Sequence, residues 1–172
     1  MSSPLPPVDP SDLASIAAGF ALEAPFAQGT PHGNGLINDS FVVECQSTGS
    51  PRHYILQRIN HHVFQDVPAL MENVQRVTDH LSKISSPPNR RPLRLIRTVA
   101  GAACHVDEQS CHWRCYEFIE GAVSYDVIPS LSVARSAAFA FGEFQAQLVD
   151  LSSPRLNETI PDFHNTRQRF AN

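Results

Sequence analysis

The chain has 172 residues, 42% of them hydrophobic, with 13 basic and 17 acidic side chains for a net charge of −4. That length and composition support a buried core and exclude wholesale disorder. No basic stripe points to nucleic acid, and no apolar run approaches the ~20 residues of a membrane span, so neither is an expected partner.

The first ten residues, MSSPLPPVDP, lack the basic and apolar segments of a secretory signal and read as a Pro-rich tail. Residues 10–18 predict a short helix, with Ser11 as N-cap ahead of Leu13, Ile16 and Ala17. Next comes HGNGLINDSF, residues 32–41, which puts Gly33 and Gly35 at the mouth of a strand expected to start near Leu36. A second strand is expected over 53–59, after a turn rich in Ser, Thr, Gly and Pro. Glycines let a backbone approach a ligand closely and leave N–H groups free for phosphate oxygens. The same Gly-Asn-Gly also makes an ordinary turn.

Asp66 is placed to cap a helix with Pro68 in its first turn, running to about Ile84. Leu70, Val74, Val77, Leu81 and Ile84 form its expected apolar stripe. The loop SSPPNRRP, 85–92, ends it. Three strand-like pieces follow at 93–99, 102–106 and 112–119, the last two a hairpin around 107–110. Past Gly121 the pattern becomes helical. Ser132 is the expected cap of a long helix through Val149, with Ala134, Ala137, Ala138, Phe141, Phe144 and Leu148 on its inner face. Residues 156–172 read as loop with a turn of helix. This order predicts an α+β layered fold with an antiparallel sheet, and a hinge near Gly121.

The cysteines are Cys45, Cys104, Cys111 and Cys115. With no secretory signal, reduced thiols in a cytoplasmic protein are expected. Cys104, His105, Cys111, His112 and Cys115 contain no C-x-x-C pair and alternate across strand faces, so buried or half-buried thiols are expected there and no metal site.

Six motifs occur in order: GNGLINDSF, YILQRINHHVF, LMENVQRVTDHL, WRCYEFIEGA, FGEFQAQL and TIPDFHNTRQRF. Together they resemble the N-terminal half of the N-acetylhexosamine 1-kinase type of sugar kinase, in the aminoglycoside phosphotransferase and choline kinase-like superfamily. The resemblance runs over about residues 30–170. It implies ATP-dependent phosphoryl transfer to a sugar hydroxyl, with Mg²⁺. It also implies a protein-kinase-like N-lobe, with a five-stranded antiparallel sheet and an αC-like helix. A hinge and the first helix of a truncated C-lobe would follow. The implied divisions are a tail and short helix (1–29), the N-lobe (30–120), and hinge with the start of the C-lobe (121–172).

By the same resemblance Gly33, Asn34 and Gly35 are the phosphate loop, and Asn38 and Asp39 order it. Kinase folds aim a cation from the next strand at the phosphates. Lysine is absent from HYILQRI, so Arg58 is the expected substitute. Gln57 and Arg58 point to opposite faces, and one of the two must face the nucleotide. Glu72, on the Asp66 helix, is the expected carboxylate partner of that cation, with Asn73 its possible replacement. Glu117, Phe118 and Ile119 fall at the hinge, where backbone groups would meet the adenine edge. His164, Asn165 and Arg167 match a motif on the sugar side. The His-x-Asp-x-x-x-x-Asn catalytic loop and the metal-binding Asp of the superfamily have no match in the sequence, so no catalytic residue is expected. The implied chain is the nucleotide-binding half of a kinase, inactive alone and prone to self-association through Phe141 and Phe144. Two other readings stay open: a non-catalytic nucleotide- or protein-binding module, and a kinase for another hydroxyl, such as that of an aminoglycoside, choline or homoserine.

Overall fold

The computed structural model describes residues 7–9, 11–33, 35–84, 91–163 and 165–171. Its elements are α1 (Asp12–Ala18), β1 (Phe26–Pro31), β2 (Asp39–Cys45), β3 (Arg52–Ile59), α2 (Val67–Leu81), β4 (Leu95–Ile96), β5 (His105–Val106), β6 (His112–Glu117), α3 (Leu131–Gln147) and α4 (Thr166–Ala171). The strands form one antiparallel sheet in the order β1-β2-β3-β6-β4, with β5 also paired to β6. Since β3 fills one edge of β6, β4 and β5 share the other. Six strands therefore make five rows: the pieces expected at 93–99 and 102–106 are the short β4 and β5, and β1 is a strand beyond the five expected.

Strict alternation in β2, β3 and β6 gives the sheet two faces. Phe41, Val43, Cys45, Tyr54, Leu56, Trp113 and Cys115 point to one face, where Leu13, Ile16 and Ala17 of α1 close the main core. Trp113 is 1% exposed and Leu56 0%. Each such side chain contributes roughly 1.5–3 kcal/mol by leaving water. The other face carries Ser40, Val42, Ile55, Gln57, Arg114 and Tyr116, as the register requires. There Val67 and Met71 of α2 pack on Ile59, flanked by Leu70, Val74, Leu95, Ala103 and Cys104.

α2 begins where expected: Asp66 accepts a hydrogen bond from the Ala69 N–H at 2.9 Å. Its buried stripe is Val67, Met71, Thr78 and Leu81, rotated from the expected set. Thr78 tolerates burial because its hydroxyl donates to the Val74 carbonyl at 2.9 Å. Ser11 precedes α1 but makes no side-chain cap; its hydroxyl donates to Asp9 at 2.7 Å instead. β1 was not foreseen, because Gly29 and Pro31 break its pattern; Pro31 is tolerated on the outermost strand.

α3 is capped by Ser130, not Ser132. Ser130 has the extended backbone of an N-cap, and its Oγ accepts from the Val133 N–H at 3.3 Å. No residue of α3 is buried, and Phe141 of the expected inner face is 71% exposed. Polar contacts tie this part of the chain to α2. His80 Nε2 bonds the Gln147 carbonyl at 2.8 Å, Asn73 exchanges two bonds with Asn157, and Arg76 donates to carbonyls of Ser152, Pro154 and Arg155.

Candidate functional site

Residues 32–38 form the bend between β1 and β2. The strand starts at Asp39, later than expected, and Leu36 and Ile37 lie exposed in the bend. Gly33 has φ of +72°, a left-handed conformation open to glycine at little cost. At Gly35 a Cβ would lie 3.1 Å from the Asn38 carbonyl oxygen, so the backbone is tightly folded there. The His32 N–H donates to the Ser40 carbonyl at 2.8 Å and closes the hairpin. Asn38 Oδ1 accepts from the Asn60 N–H at 2.9 Å and fastens the bend to the end of β3. Asn34 lies outside the described residues.

The bend leans over one particular face. The His32 ring packs edge-on against Phe118, with centroids 5.8 Å apart, and Phe118 packs edge-on against His53 at 5.9 Å. His53 shares its face with Ile55 and Gln57. The space beneath the bend is therefore the half-open face of Ser40, Val42, Ile55, Gln57 and Arg114.

Arg58 is on the opposite face, contrary to expectation. It is 4% exposed on the core face of the sheet, its Nε and Nη2 donate to Asp39 Oδ2 at 3.0 and 2.6 Å, and its guanidinium lies 6.0 Å from the Trp113 ring centre. Strand parity is the reason: Arg58 pairs with Asp39 and Trp113, whose side chains point to the α1 side. Asp39 is thereby a partner of Arg58. Glu72 does not pair with a cation either. It is exposed on α2 and accepts from Asn157 Nδ2 at 3.0 Å.

Across the other face the register aligns Ser40, Gln57 and Arg114 in one row. Arg114 Nε donates to Gln57 Oε1 at 2.9 Å, and Gln57 Nε2 donates to Ser40 Oγ at 2.8 Å. A guanidinium only donates, which fixes the orientation of the amide. The Arg114 guanidinium stacks 5.4 Å from the Tyr116 ring centre. Burial pushes the Tyr116 phenol upward, and Arg114 offsets part of that rise. Sequence reasoning missed Arg114; the available signal was the parity of Gln57, which a strand neighbour in WRCY could share.

At the hinge, the Glu117 N–H donates to the Arg94 carbonyl at 3.0 Å and the Phe118 N–H to the His53 carbonyl at 3.1 Å, so two expected adenine donors are committed to the sheet. Ile119 is 53% exposed. A recess of about 1290 Å³ opens at the hinge, among His53, Asp79, Arg94, Glu117, Phe118 and Ile119, and includes no residue of the bend. Asn165 caps α4, accepting from the Gln168 N–H at 3.2 Å, and Arg167 is exposed on that helix; His164 lies outside the described residues. Among the described residues no three His, Cys, Asp or Glu side chains come together as a metal site. Cys45, Cys104, Cys111 and Cys115 are free thiols, each pushed above its ordinary value chiefly by burial. No described helix is long and apolar enough to cross a membrane.

A glycine bend over one face of a five-row antiparallel sheet, a helix beside it, and a hinge leading to a long helix define a protein-kinase-like α+β fold. No family model matches the chain. The fold is shared with a solved structure of spectinomycin phosphotransferase, APH(9)-Ia, in complex with ADP and spectinomycin, at a TM-score of 0.59 and 12% identity. The match covers 97% of this chain and 47% of that one, so the chain spans about half the length of its structural neighbour.

Proposed function

We propose that this chain is the nucleotide-binding part of an ATP-dependent phosphotransferase, a sugar kinase of the N-acetylhexosamine 1-kinase type. The observation that carries the reading is the glycine bend folded over a half-open polar sheet face that ends at the hinge. Backbone N–H groups of Gly33 and Gly35 reach the phosphates, and Asn38 holds the bend in place. Phe118 and Ile119 border the adenine, while Asn165 and Arg167 shape the sugar side. The neighbour of the same fold holds ADP and a small-molecule acceptor, which supports a nucleotide and a small hydroxylic substrate here. The ordered sequence motifs favour the hexosamine branch and a cytoplasmic setting.

Phosphoryl transfer also needs a base at the acceptor hydroxyl and ligands for Mg²⁺. Among the described residues no three His, Cys, Asp or Glu side chains come together as such a site, and no catalytic-loop motif occurs in the sequence. The chain alone binds ATP and does not turn it over. Calorimetric titration with ATP, paired with phosphorus NMR of ATP plus N-acetylhexosamine, tests this. Saturable ATP binding without sugar phosphate is expected; absence of ATP binding overturns the reading, and turnover overturns the division of labour. The exposed apolar residues of α3 favour a second reading, a module whose partner covers that helix. ATP-independent capture of such a partner would single it out.

A further inference from the structure

Kinase-like folds place a cation beneath the glycine bend, and here the β3 arginine is turned to the other side of the sheet. The geometry points to Arg114 of β6 as the phosphate-binding cation of this cleft, with Gln57 as its positioning residue; this rests on the nucleotide reading above.

Three observations carry it. First, Arg114 lies in the row Ser40, Gln57, Arg114, which continues through the backbone bond from His32 to Ser40 into the bend itself. At roughly 4.8 Å per strand, the row crosses the width of the face that the bend covers. Second, Arg114 is half-buried and its guanidinium has no carboxylate within ion-pair distance among the described residues, whereas Arg52, Arg58, Arg94 and Arg97 each have one. Its charge is thus available to an anion. Third, it is pre-set. Stacking on Tyr116 fixes the plane, and the Gln57 carbonyl holds the Nε edge. Gln57 supplies this as a neutral acceptor, so no negative charge competes for the cation. A carboxylate at the same position would compete with an anionic ligand.

The ligand chemistry implied is the polyphosphate of a nucleoside triphosphate. The test compares ATP with adenosine by calorimetry, using the full chain and the variants R114Q, R114K and Q57E. The wild-type chain is expected to bind ATP more tightly than adenosine. R114Q should lose about tenfold to a hundredfold in ATP affinity and keep its adenosine affinity within about twofold. Q57E, nearly isosteric, should move ATP affinity the same way by competing for the guanidinium, and R114K should recover part of the loss. Should R114Q fail to fold, Q57E and R114K carry the same comparison. ATP affinity unchanged in R114Q or in Q57E, with the wild type still preferring ATP to adenosine, overturns this inference and leaves the nucleotide site standing. A wild-type chain that binds neither overturns both.

Discussion

Arg58 and Arg114 lie one residue apart across the β3–β6 register and have opposite environments. Arg58 is buried on the core face against Asp39, whose side chain is 47% exposed. The pair is therefore asymmetric. Removing Asp39 leaves a buried guanidinium without its carboxylate, while removing Arg58 leaves a carboxylate that water can reach. Asp39→Ala is expected to cost about 2 kcal/mol and Arg58→Met less than about 1 kcal/mol, since Met keeps the apolar stem. Urea denaturation of both variants checks the order; a costlier Arg58→Met contradicts it. The thiols make a second prediction. Cys45, Cys104, Cys111 and Cys115 are raised above 9.0, and Tyr54 and Tyr116 above 10.0, all chiefly by burial. In the unfolded chain these groups lose protons at their ordinary values; in the folded chain they keep them. Stability is therefore fully present below about pH 8 and falls as pH rises from about 9 to 11. Thermal unfolding in reductant at pH 7, 9 and 10.5 should show a falling midpoint; a flat or rising midpoint contradicts the burial. That Cys104, Cys111 and Cys115 would be buried or half-buried was legible from their strand positions. Which of Gln57 and Arg58 faced the cleft was not, because parity separates the two faces without saying which one α1 covers.

At the scale of elements, α2 was legible because its signals are local: an Asp cap, Pro68, and apolar residues at helical spacing. β1 was illegible because Gly29 and Pro31 mask it, and its register with β2 is a long-range fact. The bend was visible as glycines, yet its lean toward Phe118 depends on rings 86 positions apart in sequence, His32 and Phe118. Asn38 is the local fastener of that bend. Asn38→Ala should release the Asn60 amide, raising its hydrogen-exchange rate at least tenfold, while global stability changes by about 1 kcal/mol. Exchange at Asn60 that stays as slow as in the wild type contradicts the fastening.

At the scale of the whole molecule, one sheet divides the labour. Its α1 face holds the core, and its bend face is left half-open, polar and cationic, consistent with an anion site. The α+β layering followed from element order alone, and the kinase-like arrangement from the ordered motifs. α3 presents apolar side chains to solvent: Leu131 and Phe141 are 90% and 71% exposed. In isolation the chain should self-associate through this helix. Light scattering across a concentration series is expected to show mass rising with concentration, and Leu131→Ser with Phe141→Ser is expected to suppress it; a strictly monomeric wild type contradicts that use of the face. The central claim is a nucleotide held between the glycine bend and the Gln57–Arg114 row. Amide chemical-shift mapping during an ATP titration reads it out directly. The account predicts saturable shifts at Gly33, Gly35, Asn38, Ser40, Gln57, Arg114 and Phe118. Silence at those amides, or shifts confined to the α1 face around Arg58 and Leu13, would contradict it.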